Sequence, residues 1–286
     1  MEFAETVYGG IVMSSKAMSL KGRINNYAKK NRIPAQVVLQ NFMFERFLER
    51  LAVSDFRQKF VIKGGMLIAA LVGLDIRSTM DLDTTIRDLP LTEEEIFQTI
   101  KEIGGIDIGD EVYFDVKSIE PIRKDDKYGG FCVKLIAIFD TIRTPLSIDI
   151  STGDVITPKA IEYEFEEIFN EDKTIKLWGY NIETILAEKV ETIFRRGVFN
   201  TRPRDFYDVY ILTKEKIYDK DIFVEALQAT ATHRGSTQLI ADKQAIFNEI
   251  FQSNDLRNMW SKYRQKYPYA NDIEYEEIMD VLKSFV

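Results

Sequence analysis

Apolar positions recur along this chain first with a helical period, then with a strand period, then with a helical one again. Between Ser19 and Pro34, Leu20, Ile24, Tyr27 and Ala28 fall on one helical face. Lys21, Arg23, Lys29, Lys30 and Arg32 surround it and read as a solvated face. Pro34 then opens a second helix with a broad apolar stripe through Val38, Phe42, Phe47 and Leu51. Residues 1–16 carry no clear period. From Phe60 to Ile86 the pattern reads as a short strand, a Gly64-Gly65 turn, an apolar helix over Met66–Val72 and a loop carrying Arg77-Ser78-Thr79. A second strand bearing Asp81 and Asp83 follows.

Thr92, behind Leu91, caps a helix with Glu95 three residues on; Ile96, Ile100 and Ile103 share its face, and Gly104-Gly105 ends it. Runs at Val112–Ile119, Phe131–Phe139 and Leu146–Ile150 predict three more strands, mainly antiparallel. Pro121, Asp125-Asp126 and Gly129-Gly130 separate them. The segment from Ile168 to Trp178 supplies one strand, and from Asn181 the pattern is helical nearly to Val286. The class is therefore α+β: an N-terminal helical segment (1–58) packed on a mixed-sheet core (59–180), then a C-terminal helical domain (181–286). No Gly- or Ser-rich linker divides them.

Composition narrows the chemistry. With 45% hydrophobic residues among 286 the chain can bury a sizeable core, and 46 acidic against 38 basic residues leave a net charge of −8. It is no basic nucleic-acid coat, so any contact with a polyanion rests on local clusters. Cys132 and His233 are each alone, which excludes an intrachain disulfide and a cysteine or histidine metal cage. The N-terminus lacks the charged lead and apolar run of a signal peptide, and the longest apolar run, Met66–Leu74, is far below bilayer length. The expectation is a soluble, cytoplasmic protein.

Candidate chemistry gathers around the Gly-Gly turn. Side chains at i and i+2 of a strand share a face, so Asp81 and Asp83 point one way while Leu82 points inward. Two carboxylates at that spacing can bridge hard divalent cations, and bare glycine N–H groups at a helix start suit an anion. A lone D-x-D is common; Asp219-Lys220-Asp221 matches it in an ordinary polar loop. Context distinguishes the first. Asp149 projects from PLSIDIST on the side opposite Leu146, Ile148 and Ile150, and would be either a third metal ligand that also draws a proton from an attacking hydroxyl, or a solvent-facing strand acid. Lys189 falls on the apolar face of NIETILAEKVETIF and must either snorkel out or meet an anion. Arg195, Arg196, Arg202 and Arg204 crowd ten residues, suiting a triphosphate or an RNA backbone; Phe199, Phe206 and Tyr207 are there to pack or to stack on bases. Asp205, in a first helical turn, reads as a dipole partner or part of a charge network.

In order, KGG with its helix, RSTMDLD, SIDIST, and AEK followed by RPRDFYD resemble the AbiEii/AbiGii toxins, nucleotidyltransferases of the DNA polymerase beta superfamily found in toxin–antitoxin and phage abortive-infection systems. The likeness spans Lys63 to Asp208. It implies a nucleotidyltransferase-like fold, an NTP substrate, dependence on Mg²⁺ with two ions bound, and nucleotide transfer to RNA, the tRNA 3′ end in relatives. It also implies a cognate antitoxin, which need not form a stable complex. Carried over, Asp81, Asp83 and Asp149 are the metal-binding acids, and with Lys189 they make up the catalytic set. Gly64, Gly65, Arg77, Ser78, Lys189, Arg202, Arg204 and Asp205 line the nucleotide. Thr152 matches the threonine of the second motif, whose usual leading lysine is Ser147 here, and arginine replaces lysine at Arg204. Transfer to a small molecule or protein, or a non-catalytic nucleotide-binding regulator, fits the same residues.

Overall fold

A computed structural model describes residues 14–90, 92–122 and 129–286. Residues 1–13, Leu91 and the Asp125-Asp126 turn lie outside the described residues. The first two helices form as their apolar period requires. α1 (Ser15–Asn31) buries Ala17, Leu20, Ile24 and Ala28, is capped by Ser14, and stops at Arg32, which takes φ 55°. Its basic residues face solvent. α2 (Ala35–Val53) starts directly after Pro34, as a residue with fixed φ and no N–H allows.

The sheet that α2 covers has seven strands among the described residues, in the order β3-β4-β5-β2-β1-β7-β6. They are β1 (Phe60–Lys63), β2 (Leu82–Ile86), β3 (Val112–Ile122), β4 (Gly130–Phe139), β5 (Ile142–Thr152), β6 (Ile161–Glu167) and β7 (Asn170–Gly179). The sheet is mixed: β2 runs parallel to β5 and β1 parallel to β7, while β1–β2, β3–β4, β4–β5 and β6–β7 are antiparallel. α3 (Gly64–Val72) links β1 to β2, and α4 (Glu93–Gly104) leans on β3. The α+β class holds.

Three features differ from the sequence pattern. The strand expected within Ile168–Trp178 forms as β7, and an unexpected strand, β6, precedes it to make a hairpin. β6 was hidden because its apolar residues Ile161, Tyr163 and Phe165 alternate with glutamates at a sheet edge. Pro121 lies inside β3 and does not break it, since an edge strand can lack one N–H. α2 is buried on nearly every side: Glu45, Arg46, Glu49 and Arg50 are enclosed with the apolar stripe. Arg46 there pairs with Glu45, with Glu49 at 2.8 Å and with Glu167 at 3.1 Å, which ties α2 to the β6–β7 hairpin.

The C-terminal part is helical throughout: α5 (Ile182–Arg196), α6 (Pro203–Glu215), α7 (Lys220–Arg234), α8 (Thr237–Ala241), α9 (Lys243–Gln252), α10 (Asn254–Lys266) and α11 (Tyr275–Lys283). Single turns at Gly197–Phe199 and Pro268–Ala270 interrupt it. Asn181 caps α5 by accepting from Thr184 N–H at 2.7 Å, and α6 packs on α3, α5, α10 and α11. Among the described residues no helix is long and apolar enough to cross a membrane. Phe47, 1% exposed, meets the Phe114 ring edge-on at 5.5 Å between centroids. Phe47→Ala should lower the unfolding free energy by about 3–5 kcal/mol, read as a shifted urea midpoint with an unchanged slope.

Candidate active site

Three strands bring their chemistry into one row. Lys63 on β1 is the register partner of Asp83 on β2, and Asp83 is the partner of Asp149 on β5. Register neighbours share a sheet face, so three charged side chains stand side by side about 4.8 Å apart. On β4 the next position is Cys132, whose thiol is pushed up to about 11 by burial and by the Asp149 carboxylate beside it. Lys63, Asp83, Asp149, Ser151 and Gly130 line one small cleft over this row. The opposite faces of β2 and β5 bury Leu82, Ile148 and Ile150 in the core.

The glycine turn is shaped around Asp83. Gly64 takes φ +63°, and a Cβ there would stand 2.0 Å from Asp83 Oδ2. α3 begins at Gly64 itself, two residues before the start expected from the apolar pattern, and no side chain caps it. Its free first-turn amide instead turns to the acid: Gly65 N–H donates to Asp83 Oδ2 at 3.4 Å. Burial holds the Asp83 carboxyl above its ordinary range, although Lys63, Lys189 and this amide oppose it.

Lys63 is not left to face Asp83 alone. Its ammonium pairs with Asp154 and donates to Ser151 Oγ at 2.7 Å; Asp154 also accepts from Ser151 at 2.8 Å and from the Tyr180 hydroxyl at 2.9 Å. Burial would lift the Asp154 carboxyl, but Lys63 and these donors outweigh it and hold it far below the usual range. Across the cleft Lys189 is locked between Asp205 at 2.7 Å and Asp208 at 3.0 Å. Burial pulls its ammonium down, and the two carboxylates more than restore it. Asp208 also binds Arg77 at 2.6 Å, and Asp205 also binds Arg202 at 3.0 Å.

Most of the expected residues converge, though with altered duties. Asp83 and Asp149 are adjacent. Asp81 is exposed on the loop one residue before β2, because ladder pairing begins only at Leu82. Asp81 thus stands just outside the ladder, near enough for its charge to push the Asp83 carboxyl further up. Among the described residues, no three His, Cys, Asp or Glu side chains gather as a metal cage. The Asp83–Asp149 pair still fits Mg²⁺, which is commonly held by one or two carboxylates together with substrate phosphates. A buried carboxylate with a raised pKa beside a second acid is a place where added positive charge stabilises.

Arg77 is 1% exposed and approaches Gly65 from behind the turn, with Nη1 donating to the Ser78 carbonyl at 2.6 Å. Ser78 is buried with it. Arg202 and Arg204 line a different cleft, against α10. Thr152 donates to the Ile86 carbonyl at 3.3 Å, steadying the end of β2. Phe206 and Tyr207 are buried, so of the three aromatics only Phe199 is exposed. Lys63, Ser151, Asp154 and Asp208 were not singled out from sequence. The signals were a lysine closing the apolar strand FVIK, an acid two residues beyond Thr152, and a second aspartate one turn past Asp205.

A mixed sheet that sets two registered carboxylates beside a glycine-started helix is the framework of a nucleotide-transferring protein. The family of AbiEii nucleotidyl transferase toxins, from type IV toxin–antitoxin systems, matches residues 46–282, and the chain belongs to it. No curated protein matches the chain. Among solved structures, it is similar to JHP933 from Helicobacter pylori, with 18% identity over 87% of this chain and 91% of that one and a TM-score of 0.47. A candidate nucleotidyltransferase from H. pylori gives 16% identity over 88% and 96%, with a TM-score of 0.49. An antigenic nucleotidyltransferase-like protein from Paracoccidioides brasiliensis gives 14% over 84% and 93%, with a TM-score of 0.33.

Two substitutions probe this geometry. Gly64→Ala should cost about 1–2 kcal/mol from the left-handed backbone but lower nucleotidyl transfer about 10²-fold, because the new methyl displaces Asp83. Comparable losses of stability and no loss of turnover would contradict it. Lys63→Met should destabilise the protein by about 3–5 kcal/mol near pH 7, since Asp154 is left buried and unpaired. A carboxyl whose folded pKa is depressed contributes stability above its unfolded pKa of about 4 and loses it as pH falls through the folded value. Without Lys63, burial dominates at Asp154 and acid unfolding moves to higher pH. Urea melts from pH 3 to pH 7 measure this; a variant deficit as large at pH 3 as at pH 7 would refute it.

Proposed function

We propose that this chain is a toxin that transfers a nucleotide from an NTP to an RNA acceptor, the tRNA 3′ end, in an Mg²⁺-dependent reaction serving phage defence by abortive infection. The observation that carries the reading is the Lys63–Asp83–Asp149 row across three strands, opening beside the Gly64 turn. Asp83 and Asp149, with Asp81 at the rim, would hold one or two Mg²⁺ ions, which supply Lewis-acid charge to the reacting phosphate.

The protein's own groups divide the remaining work. Gly64 and Gly65 bring bare backbone to the substrate, and the first turn of α3 offers N–H groups to phosphate oxygens. Arg77 and Ser78 hold that turn from behind. Asp149 accepts the proton of the acceptor hydroxyl as its oxygen bonds to the α-phosphorus. The bond from the α-phosphorus to the bridging oxygen breaks, and pyrophosphate leaves with the electron pair. Lys189, close enough to bias Asp83, offsets negative charge growing on that leaving group. Asp205 orients Lys189, and Arg202 and Arg204 extend positive charge outward along α6.

The test is incubation of the purified chain with each labelled NTP, total tRNA and either Mg²⁺ or a chelator. Label should enter tRNA only with Mg²⁺, and Asp149→Asn should lower the rate about 10²–10⁴-fold, with Asp83→Asn at least as impaired. If tRNA stays unlabelled with all four NTPs, the RNA reading falls; label on a small molecule or on the protein would replace the acceptor.

A further inference from the structure

Away from the carboxylate row, the start of α6 and the length of α10 enclose a second cleft of about 700 Å³. Arg202, Arg204, Lys262 and Lys266 line it, and Asp255 is the one carboxylate among its lining residues. Such an excess of cations stands out on a chain whose net charge is −8. The cations are available. Arg202 keeps 52% of its side chain exposed despite its contact with Asp205, and Lys262 and Lys266 are exposed.

An aromatic surface runs through the same cleft. Arg204 donates to the Tyr267 hydroxyl at 3.3 Å, and the Lys266 ammonium lies 5.3 Å from the Tyr267 ring centre. Burial would raise the Tyr267 hydroxyl, yet Arg204 and Lys266 bring it below its ordinary range, a local sign of positive potential. Phe199, 86% exposed, sits in the turn two residues before Thr201, which lines the cleft.

We propose that this cleft seats the sugar–phosphate backbone of the RNA acceptor, with Tyr267 and Phe199 offering faces for unpaired bases. This rests on the reading of the acceptor as RNA. A compact triphosphate needs its cations converging on one point beside the carboxylates that would hold its metal. Here the cations are spread along two helices, outside the cleft that Asp83 and Asp149 line. An extended polyanion makes use of such a spread, and aromatic faces add sequence-tolerant stacking. Arg202 connects this cleft through Asp205 to Lys189, whose charge acts on Asp83, so a strand seated on α10 lies one charge network away from that acid.

The test measures total tRNA binding by the full chain across a salt series, with Lys262→Glu/Lys266→Glu compared against Lys29→Glu/Lys30→Glu on the exposed face of α1. Both pairs change the net charge equally, at exposed helix positions, and thermal melts check that each folds. The cleft pair should weaken tRNA binding at least about 10-fold and flatten the salt slope by roughly 1.5, while the α1 pair leaves both within about threefold. Unchanged binding by the cleft pair, or equal weakening by both pairs, overturns the proposal. Nucleotide transfer is scored in the same samples. Wild type that labels tRNA while the cleft pair binds it normally removes the docking site alone; cleft-dependent binding with no label on any acceptor removes the transfer reading alone.

Discussion

The buried charge chain Arg77–Asp208–Lys189–Asp205 is the constraint on which the rest of this molecule depends. Arg77 belongs to the loop between α3 and β2, Lys189 to α5, and both aspartates to α6. With Asp208 at 0% and Arg77 at 1% exposure, burying either charge is costly unless its partners are in place. The two cations and two anions must therefore assemble together, and so must the sheet and the C-terminal helices. Tyr207 reinforces the joint by donating to the Ile76 carbonyl at 2.6 Å. A hydrophobic seam would have held the same elements with less penalty from desolvation. What the ionic one adds is direction, since an arginine fork and an ammonium admit few arrangements of two carboxylates.

That joint explains why the glycine turn is where it is. Arg77 lies beneath Gly65, so fixing its guanidinium against Asp208 fixes the height of the turn over the sheet. The turn then approaches Asp83 so closely that no side chain fits at Gly64. Distant helices thus set the position of a backbone amide relative to a carboxylate on β2.

Much of this was legible in the sequence, for reasons that differ residue by residue. The inward direction of Lys189 followed from period alone, because Ile182, Ile185, Leu186 and Ile193 define a face that Lys189 shares. Asp149 followed from strand alternation in the same way. Register did not: that Lys63, Asp83 and Asp149 stand abreast depends on how three strands slide past one another, and no local pattern encodes it. The pairing of Lys63 with Asp154 depends on it as well. Resemblance places Arg77 at the nucleotide, and its burial against Asp208 beside Gly65 is a contact that no local pattern encodes. The β6 strand was missed where the ordinary apolar bias of strands fails, at an acidic edge.

The electrostatics of the row make a last connection. Asp83 has Lys63 beside it on β1 and Lys189 near it from α5, and two nearby ammonium groups would ordinarily hold a carboxyl well below its usual range. Its pKa is raised instead. Each lysine also has its own partners: Asp154 takes Lys63, and Asp205 with Asp208 takes Lys189. Both lysines still lower the Asp83 pKa, but burial is the larger influence and the nearby Asp81 carboxylate adds to it. With burial dominant, the Asp83 carboxyl is held raised, and added positive charge beside it would favour its ionised form. The surplus cations of the chain are kept elsewhere, along α6 and α10, where a polyanion can reach them without quenching the acids.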